Sequence, residues 1–395
     1  MNFKVDLGGR LRRLRTAKGL SLEQVAAEMD NPVTKQALSK YETGKAAPAR
    51  LVLAALAKVF KVKTSYFFEE PSFEIKFIAY RKSAGLGLAE RERIENAVRL
   101  ELEERIKIQD IICSGPAVKI TIGKFEIDSL AGAEEAAKEF RKKLNLGVAS
   151  VARVTDVLED CRIHAVAIDA DEKFDGLSAY AVDRRNAVIA AAVVSRKNVA
   201  GERQRLNLMH ETGHLLLSPA PGVDAEKAAF RFASAFLAPA ETIIKETGAR
   251  RSFISTEELF ILKKMFGMSV QAILYRLRDL EVITASHYKN WCVKINRLKW
   301  KKNEPHRMPF ERSRWMDLNV LRAYSEGLIG RDEAIRLIGR EAGLEEKPSV
   351  NRQCRDFMNK SPKERRESLA RQAEKLAAHY EGLSDDLETG DAVEY

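Results

Sequence analysis

The chain has 395 residues, too many for one hydrophobic core, so two or three domains are expected. Its formal net charge of +10 favours an anionic partner, and no apolar stretch reaches the ~18 residues that a membrane-spanning helix needs. The polar start is unlike a secretory signal, and the four cysteines (Cys113, Cys161, Cys292, Cys354) are scattered without a C-x-x-C pair. Both features suit a reducing cytoplasm, and the second argues against a cysteine-ligated zinc site.

Residues 7–20 predict a basic amphipathic helix, with Leu7, Leu11 and Leu14 on one side and Arg10, Arg12, Arg13 and Arg15 around them. Ser21 is a good N-cap for a second helix over Leu22–Met29, with Val25, Ala26 and Met29 turned inward. After Asp30-Asn31-Pro32, Thr34 caps a third helix, Lys35–Thr43, which Gly44 ends, and a fourth runs through Leu51–Phe60. Residues 1–70 hold 13 Lys and Arg against 7 Asp and Glu. Short, tightly joined helices in a basic segment describe a helix-turn-helix unit that binds DNA. A small bundle with a solvated basic face is the alternative.

The span 7–68 resembles the Cro/C1-type (XRE) DNA-binding domain. The likeness rests mainly on Lys35-Gln36-Ala37-Leu38-Ser39-Lys40-Tyr41-Glu42-Thr43-Gly44-Lys45, followed by Pro48. That resemblance implies that the third helix enters the major groove. Lys35 and Gln36 would then face base edges, Lys suiting guanine and Gln adenine, and Ala37 would meet a thymine methyl. Ser39 belongs to the same DNA-facing set, while Lys40 and Lys45 hold phosphates and so position the protein without reading sequence. Glu42 is implied to pair with Arg15 inside the fold. Two features depart from the family's pattern: the turn at 30–33 is longer, and Leu22 stands where many members carry Gln.

Residues 71–82 alternate apolar and polar, as a short strand or a linker does. Residues 88–112 predict a long charged helix with Ile94, Val98, Leu102, Ile106, Ile108, Ile111 and Ile112 available for packing. The span 71–144 therefore reads as a linker and a long helix that couples two domains or forms a homodimer, since two-fold symmetry suits a reader of palindromes. Packing of the stripe within its own chain is the alternative.

Residues 207–217 read N-L-M-H-E-T-G-H-L-L-L, an H-E-x-x-H motif inside an apolar run. Four residues make slightly more than one helical turn, so His210 and His214 lie on one face about 40° apart. Two neutral imidazoles there can hold Zn2+, with Glu211 beside them to take a proton from water. A catalytic zinc usually has a third protein ligand. After the turn Ser218-Pro219-Ala220-Pro221-Gly222, a helix is predicted over 225–238, with Ala229, Phe232, Ala233, Phe236 and Leu237 at helical spacing and Pro239 as its stop. Glu226 lies in its first turn, and an antiparallel return would carry it over the histidines. Asp224 is near enough to play the same part, and a charge that only complements the helix N-terminus is the alternative for Glu226.

This helix pair, with E-x-x-A-x-x-F-A-x-x-x-L-x-P after the H-E-x-x-H, resembles the ImmA/IrrE family of bacterial metallopeptidases over residues 145–240. Leu158–Val166 is similar to the family's passage from helix to strand. Phe174–Ala179 and the apolar strand Ala187–Ala191 fit as well. The resemblance implies His210, His214 and Glu226 as metal ligands and Glu211 as catalytic base, with Zn2+ as the ion and Mn2+ as an alternative. Phe230 stands where many members carry Asn, at a position that is not a ligand. Relatives cleave DNA-bound repressors, which implies a neighbouring regulator or this chain itself as substrate. His164, Tyr180 and His306 are unranked candidates to stabilise an oxyanion.

Further helices are predicted over Thr256–Phe266, Ser269–Leu280 and Ser286–Trp300. Phe266–Leu277 looks like a second small helix-turn-helix and is read as a packing element. The basic run Lys294–Arg314 is read as a solvated linker, with nucleic-acid contact as the alternative. Trp315–Leu344 predicts two short helices, and Pro362–Tyr380 a charged one.

The expected fold is mainly α with a small mixed β-sheet. Residues 7–68 form an all-α helix-turn-helix domain, 71–144 the linker and coupling helix, and 145–240 an α+β zincin-like domain. Residues 241–380 form a helical C-terminal region and 381–395 an acidic disordered tail. The expected function is a cytoplasmic, sequence-specific regulator of transcription that carries a zinc-dependent endopeptidase, with a DNA operator and a regulatory protein as partners. Two other classes stay open: a regulator whose metal site is structural or sensory, and an antitoxin-like repressor that holds a toxin through residues 240–380.

Overall fold

The structure, a computed structural model, describes residues 6–29, 33–69, 72–80, 86–112, 124–340, 357–358 and 360–388. It divides into one unit over Met1–Asn319 and another over Val320–Tyr395. The first opens with four short helices, α1 (Leu7–Ala17), α2 (Leu22–Glu28), α3 (Lys35–Glu42) and α4 (Arg50–Phe60). Their starts are set by side-chain caps. Ser21 and Gln24 close a reciprocal capping box at the head of α2, and Thr34 accepts the Ala37 N–H at the head of α3. Leu11, Leu14, Val25, Leu38, Leu56 and Phe60 form the shared core. The longer turn expected at 30–33 lies, at 30–32, outside the described residues.

Arg15 holds Glu42 through two hydrogen bonds of 2.6 and 2.8 Å, with both side chains mostly buried. The hydrogen bond to Glu42 raises the guanidinium pKa. Truncating one partner strands the other charge in a poorly solvated place. Glu42→Ala should therefore lower stability by about 2–3 kcal/mol, near the low end for a broken buried pair because some solvent still reaches these groups. Urea unfolding at neutral pH checks this.

A mixed four-stranded sheet forms the centre of the first unit. Its strands are β1 (Phe73–Tyr80), β3 (Ile163–Ile168), β4 (Gly176–Asp183) and β5 (Val188–Arg196), in the order β1-β4-β5-β3. β1 and β5 both run antiparallel to β4, and β3 runs parallel to β5. A second, two-stranded parallel sheet joins β2 (Phe125–Ile127) to β6 (Leu217–Pro219). From Ala190 to Val194 the residues of β5 alternate between faces: Ala191 and Val193 join one core, while Ala190, Ala192 and Val194 join the other. β1, from the predicted 71–82 segment, is thus the sheet's edge, and of the span 71–144 the described elements β1, α5 and β2 all belong to this architecture.

The long helix α5 (Leu88–Ile112) covers the second face. Ile94, Val98, Leu102 and Ile106 are fully buried there against Val166, Leu177, Ala179 and Val194. Of the two expectations for this stripe, a homodimer contact or packing within its own chain, the described residues Ile94, Val98, Leu102 and Ile106 take the second. α5 also touches the four N-terminal helices. Leu100 packs against the core of the four N-terminal helices, Asn96 donates to Thr16 Oγ1 at 2.8 Å, and Tyr66 donates to Glu103 at 3.0 Å. Burial, reinforced by Glu103, pushes the Tyr66 phenol pKa up, so it stays protonated as that donor.

The first face carries α6 (Leu130–Lys143), α7 (Val154–Asp160), α8 (Gly201–Leu216) and α9 (Ala225–Leu237). Beyond them come α10 (Ala240–Thr247), α11 (Thr256–Phe266), α12 (Val270–Asp279), α13 (Ala285–Arg297) and α14 (Trp300–Asn303). Leu208, Met209, Phe232, Phe236, Phe266, Ile273 and Ile295 share one core, so the domain continues without a break past residue 240. α12 is a packing helix: Arg276 is fully buried, bonded to Glu134 and to the Ala238 carbonyl.

The run Lys294–Arg314 is not a solvated linker. Its acidic residues act as anchors: Glu304 binds buried Lys263, which also holds Glu202, and Glu311 binds buried Arg205. Local charge counting failed here because two carboxylates among many cations are the groups that bury.

The second unit contains α16 (Arg331–Ile338) and α17 (Pro362–Glu388), preceded by α15 (Trp315–Ser325). α17 takes in residues 381–388 of the expected acidic tail, whereas 389–395 lie outside the described residues. No described helix is long and apolar enough to cross a membrane.

Candidate metal centre and nucleic-acid interface

α8 lies against the sheet, and its motif falls where the helix is most enclosed. His210 is 0% exposed and Glu211 1%. α9 packs back along α8, and the approach depends on Gly213, where an added Cβ would sit 3.0 Å from Ala229 Cα. That closeness brings the first turn of α9 over the histidines. Asp224 serves as its N-cap, accepting the Lys227 N–H at 3.1 Å, and that backbone bond lowers its carboxyl pKa. Glu226 is therefore the carboxylate that reaches the imidazoles.

The two imidazoles and the Glu226 carboxylate bring their donor atoms close together. His210 Nε2 and His214 Nε2 are 3.1 Å apart, and the two oxygens of Glu226 lie 3.3 and 3.4 Å from them. Ligands bonded to zinc at about 2.0–2.1 Å in a tetrahedron stand about 3.3–3.4 Å from one another. Two imidazoles and a carboxylate at this spacing fit a borderline divalent ion. Among the described residues, this is the one group of three such side chains drawn so close together. Glu226 is 53% exposed, so the site faces solvent on its α9 side.

Two neighbours of the site carry little signal in the sequence. An added Cβ at Gly176, on β4, would lie 2.9 Å from both Glu211 Oε1 and the Val194 carbonyl oxygen. Gly176 thus makes room for the buried carboxylate. Gly176→Ala should cost about 1–3 kcal/mol through overpacking and push Glu211 out of place. Thermal unfolding read beside hydrolysis tests this, activity falling by more than stability explains. Phe230 is the other neighbour, its ring centred 4.1 Å from that of His210. In place of the amide common in the family, an aromatic face backs the buried imidazole.

On α3 the expected DNA-facing residues share one surface. At 100° per residue, Lys35, Gln36, Ser39 and Lys40 fall within one face, and all four are exposed while Leu38 opposite is buried. Ala37 is half-buried beside them, and Lys45 is exposed just beyond the helix end. Lys35 contacts Glu23 at 2.8 Å, but both side chains are more than half exposed. A pair like that exchanges readily for another anion.

Residues 11–67 match the family described as Helix-turn-helix, and residues 174–278 match the one described as IrrE N-terminal-like domain, a metallopeptidase family. The chain joins a Cro/C1-type helix-turn-helix domain to an IrrE-like metallopeptidase domain. Among solved structures, it is similar to Bacillus thuringiensis PlcR in complex with the peptide PapR7 and DNA, at 11% identity over 89% of this chain and 81% of that one. The TM-score is 0.17, too low to carry an argument. No curated protein matches.

The IrrE-like match begins at the sheet and ends at α12, in accord with the unbroken core past residue 240. His164, which precedes the matched residues, is not placed to stabilise an oxyanion at the histidine pair. It lies on the α5 face of the sheet, fully buried, edge-on to Trp315 with 4.7 Å between ring centres. Burial holds its pKa well below the usual imidazole range, so it stays neutral. His306 packs against Phe260, with ring centres 4.8 Å apart, while Tyr180 points to the core on the α8 face.

Proposed function

We propose that the chain is a sequence-specific, DNA-binding regulator of transcription whose IrrE-like domain is a zinc-dependent endopeptidase. Its substrate would be a regulatory protein, either the product of a neighbouring gene or the chain itself. The observation that carries this reading is the convergence of His210, His214 and Glu226 with Glu211 on the same turn of α8. A divalent ion held by the three ligands, Zn2+ or else Mn2+, would supply Lewis-acid polarisation of the scissile carbonyl.

The chain's own groups do the rest. Glu211, shielded from bulk water, takes the proton of the attacking water and delivers it to the leaving amine. Gly176 leaves space for its carboxylate, and the exposure of Glu226 leaves a side on which a peptide can approach. That open side favours catalysis over a purely structural metal, whose four positions are closed by protein. Meanwhile Lys35, Gln36, Ala37 and Ser39 read the major groove, and Lys40 and Lys45 hold phosphates.

The experiment is incubation of the zinc-loaded full chain with the products of adjacent regulatory genes, followed by intact-mass spectrometry. Cleavage at one bond, stopped by chelation and restored by zinc, supports the reading. An intact partner and an intact chain, with DNA binding unimpaired, would favour the sensory or antitoxin-like roles instead.

A further inference from the structure

β3 pairs with β5 on one side, and among the described residues no strand is bonded to its other side. The ladder fixes which of its main-chain groups turn outward. In a parallel pair, alternate residues turn both N–H and C=O to the neighbour. The carbonyls of Arg162 and Ile168 accept the N–H groups of Ala191 and Lys197 at 3.2 and 2.8 Å. His164, Val166 and Ile168 therefore face β5, while Ile163, Ala165 and Ala167 face away from it. Side chains cap the two ends of this outer row. The Glu159 carboxylate, whose pKa burial raises, meets the Ala165 N–H, and Arg93 donates to the Asp169 carbonyl at 2.7 Å. Between these caps, the Ala165 carbonyl and both main-chain groups of Ala167 have no partner among the described residues.

The same stretch borders a cavity of about 420 Å3. Ala165, Val166 and Ala167 all line it, and their side chains point to alternate faces, so the cavity reaches round the strand's outer edge. Residues 310–313 form its far wall, but their main chain is committed elsewhere. Glu311 exchanges bonds of 2.8 and 2.9 Å with the Gln204 amide, and the Arg312 carbonyl accepts from Arg153. This segment consequently runs beside β3 without pairing with it, and a slot is left between the two.

We propose that the slot binds the end of a peptide from another molecule, added to β3 as a fifth strand. An open row of strand N–H and C=O groups is a template for another main chain. In either strand direction, two residues two apart satisfy all three free groups, which matches the two-residue repeat of a strand. The far wall leaves room for a short segment, and a chain end enters such a slot more readily than the middle of a long chain. Exposed charges at the rim, Lys197 and Arg312 against Glu101, favour acidic flanks on that peptide. The proposal does not depend on proteolysis.

The test pans a library of random heptapeptides, displayed with one free end, on the immobilised full chain. Synthetic copies of the enriched peptides are then titrated by fluorescence anisotropy. Saturable binding of one peptide per chain is expected. Methylating the peptide's amide nitrogens one at a time should weaken binding at least tenfold at alternate residues and leave it unchanged between them. Ala167→Pro removes the outward N–H and should weaken binding at least tenfold. It should keep the fold, because an edge strand tolerates proline where the N–H faces away from its neighbour. Ala167→Leu retains the N–H but fills the slot, and should weaken binding without relying on a proline being accommodated. Absence of any enriched peptide, or equal binding by the wild type and both Ala167 variants, would overturn the proposal. Peptides lost with His210→Ala but not with the Ala167 variants would sit at the metal centre, and would overturn it as well.

Discussion

Glu211→Gln is expected to lower the rate of peptide hydrolysis by about 10²- to 10⁴-fold, the range that a positioned general base contributes. The amide keeps the size of the carboxylate, so it fits the space left by Gly176 and does not disturb the packing of α8 on β4 and β5. What it loses is the ability to accept a proton. The loss should fall on kcat, with KM and metal content near their wild-type values, and DNA affinity should not change. Hydrolysis of the mass-mapped cleavage site, followed with the zinc-loaded variant, reads this out. A variant that loses its metal together with its activity would place Glu211 in holding the site rather than in proton transfer. Unchanged turnover would mean that the base lies elsewhere.

The second large effect concerns the reading helix. Lys35→Ala with Gln36→Ala should weaken operator binding roughly 10- to 100-fold for each base no longer read and relax the sequence preference. Both side chains are exposed and neither supports the core, so the fold should be retained. Lys45→Ala should act differently, weakening all DNA sequences alike and flattening the salt dependence, because a phosphate contact carries no sequence information. Fluorescence anisotropy with operator and scrambled duplexes over a salt series separates the two kinds of contact. If the double variant keeps both affinity and preference, α3 is not in the major groove.

Much of this architecture is legible in local sequence because it follows from local physics. The H-E-x-x-H spacing places two imidazoles on one face whatever the helix packs against. Ser21 with Gln24, and Thr34 before α3, announce their helices through backbone groups only a few residues away. Glu226 is harder to read, since in the sequence Asp224 is an equal candidate, and only the fold shows Asp224 bonded to the Lys227 N–H and Glu226 beside the imidazoles.

What the sequence conceals is which surfaces meet. The apolar stripe of α5 has the same periodicity whether it faces a second chain or the chain's own sheet, and only the alternation of β5 on the other side decides it. The Lys294–Arg314 run looks solvated because cations dominate it, yet Glu304 and Glu311 tie it to buried Lys263 and Arg205. Gly176 carries no signal at all until Glu211 Oε1 is found beside it.

If His210, His214 and Glu226 hold one divalent ion, the purified protein carries it in stoichiometric amount. The most direct measurement is the metal content of the purified full chain after equilibration with micromolar zinc and removal of free ion, read by inductively coupled plasma mass spectrometry. About one zinc per chain is predicted for the wild type and for Glu211→Gln, falling close to zero in His210→Ala and His214→Ala, in keeping with a site of three protein ligands. A metal-free wild type, or the same zinc content in the histidine variants, would mean that these three side chains do not form a metal site.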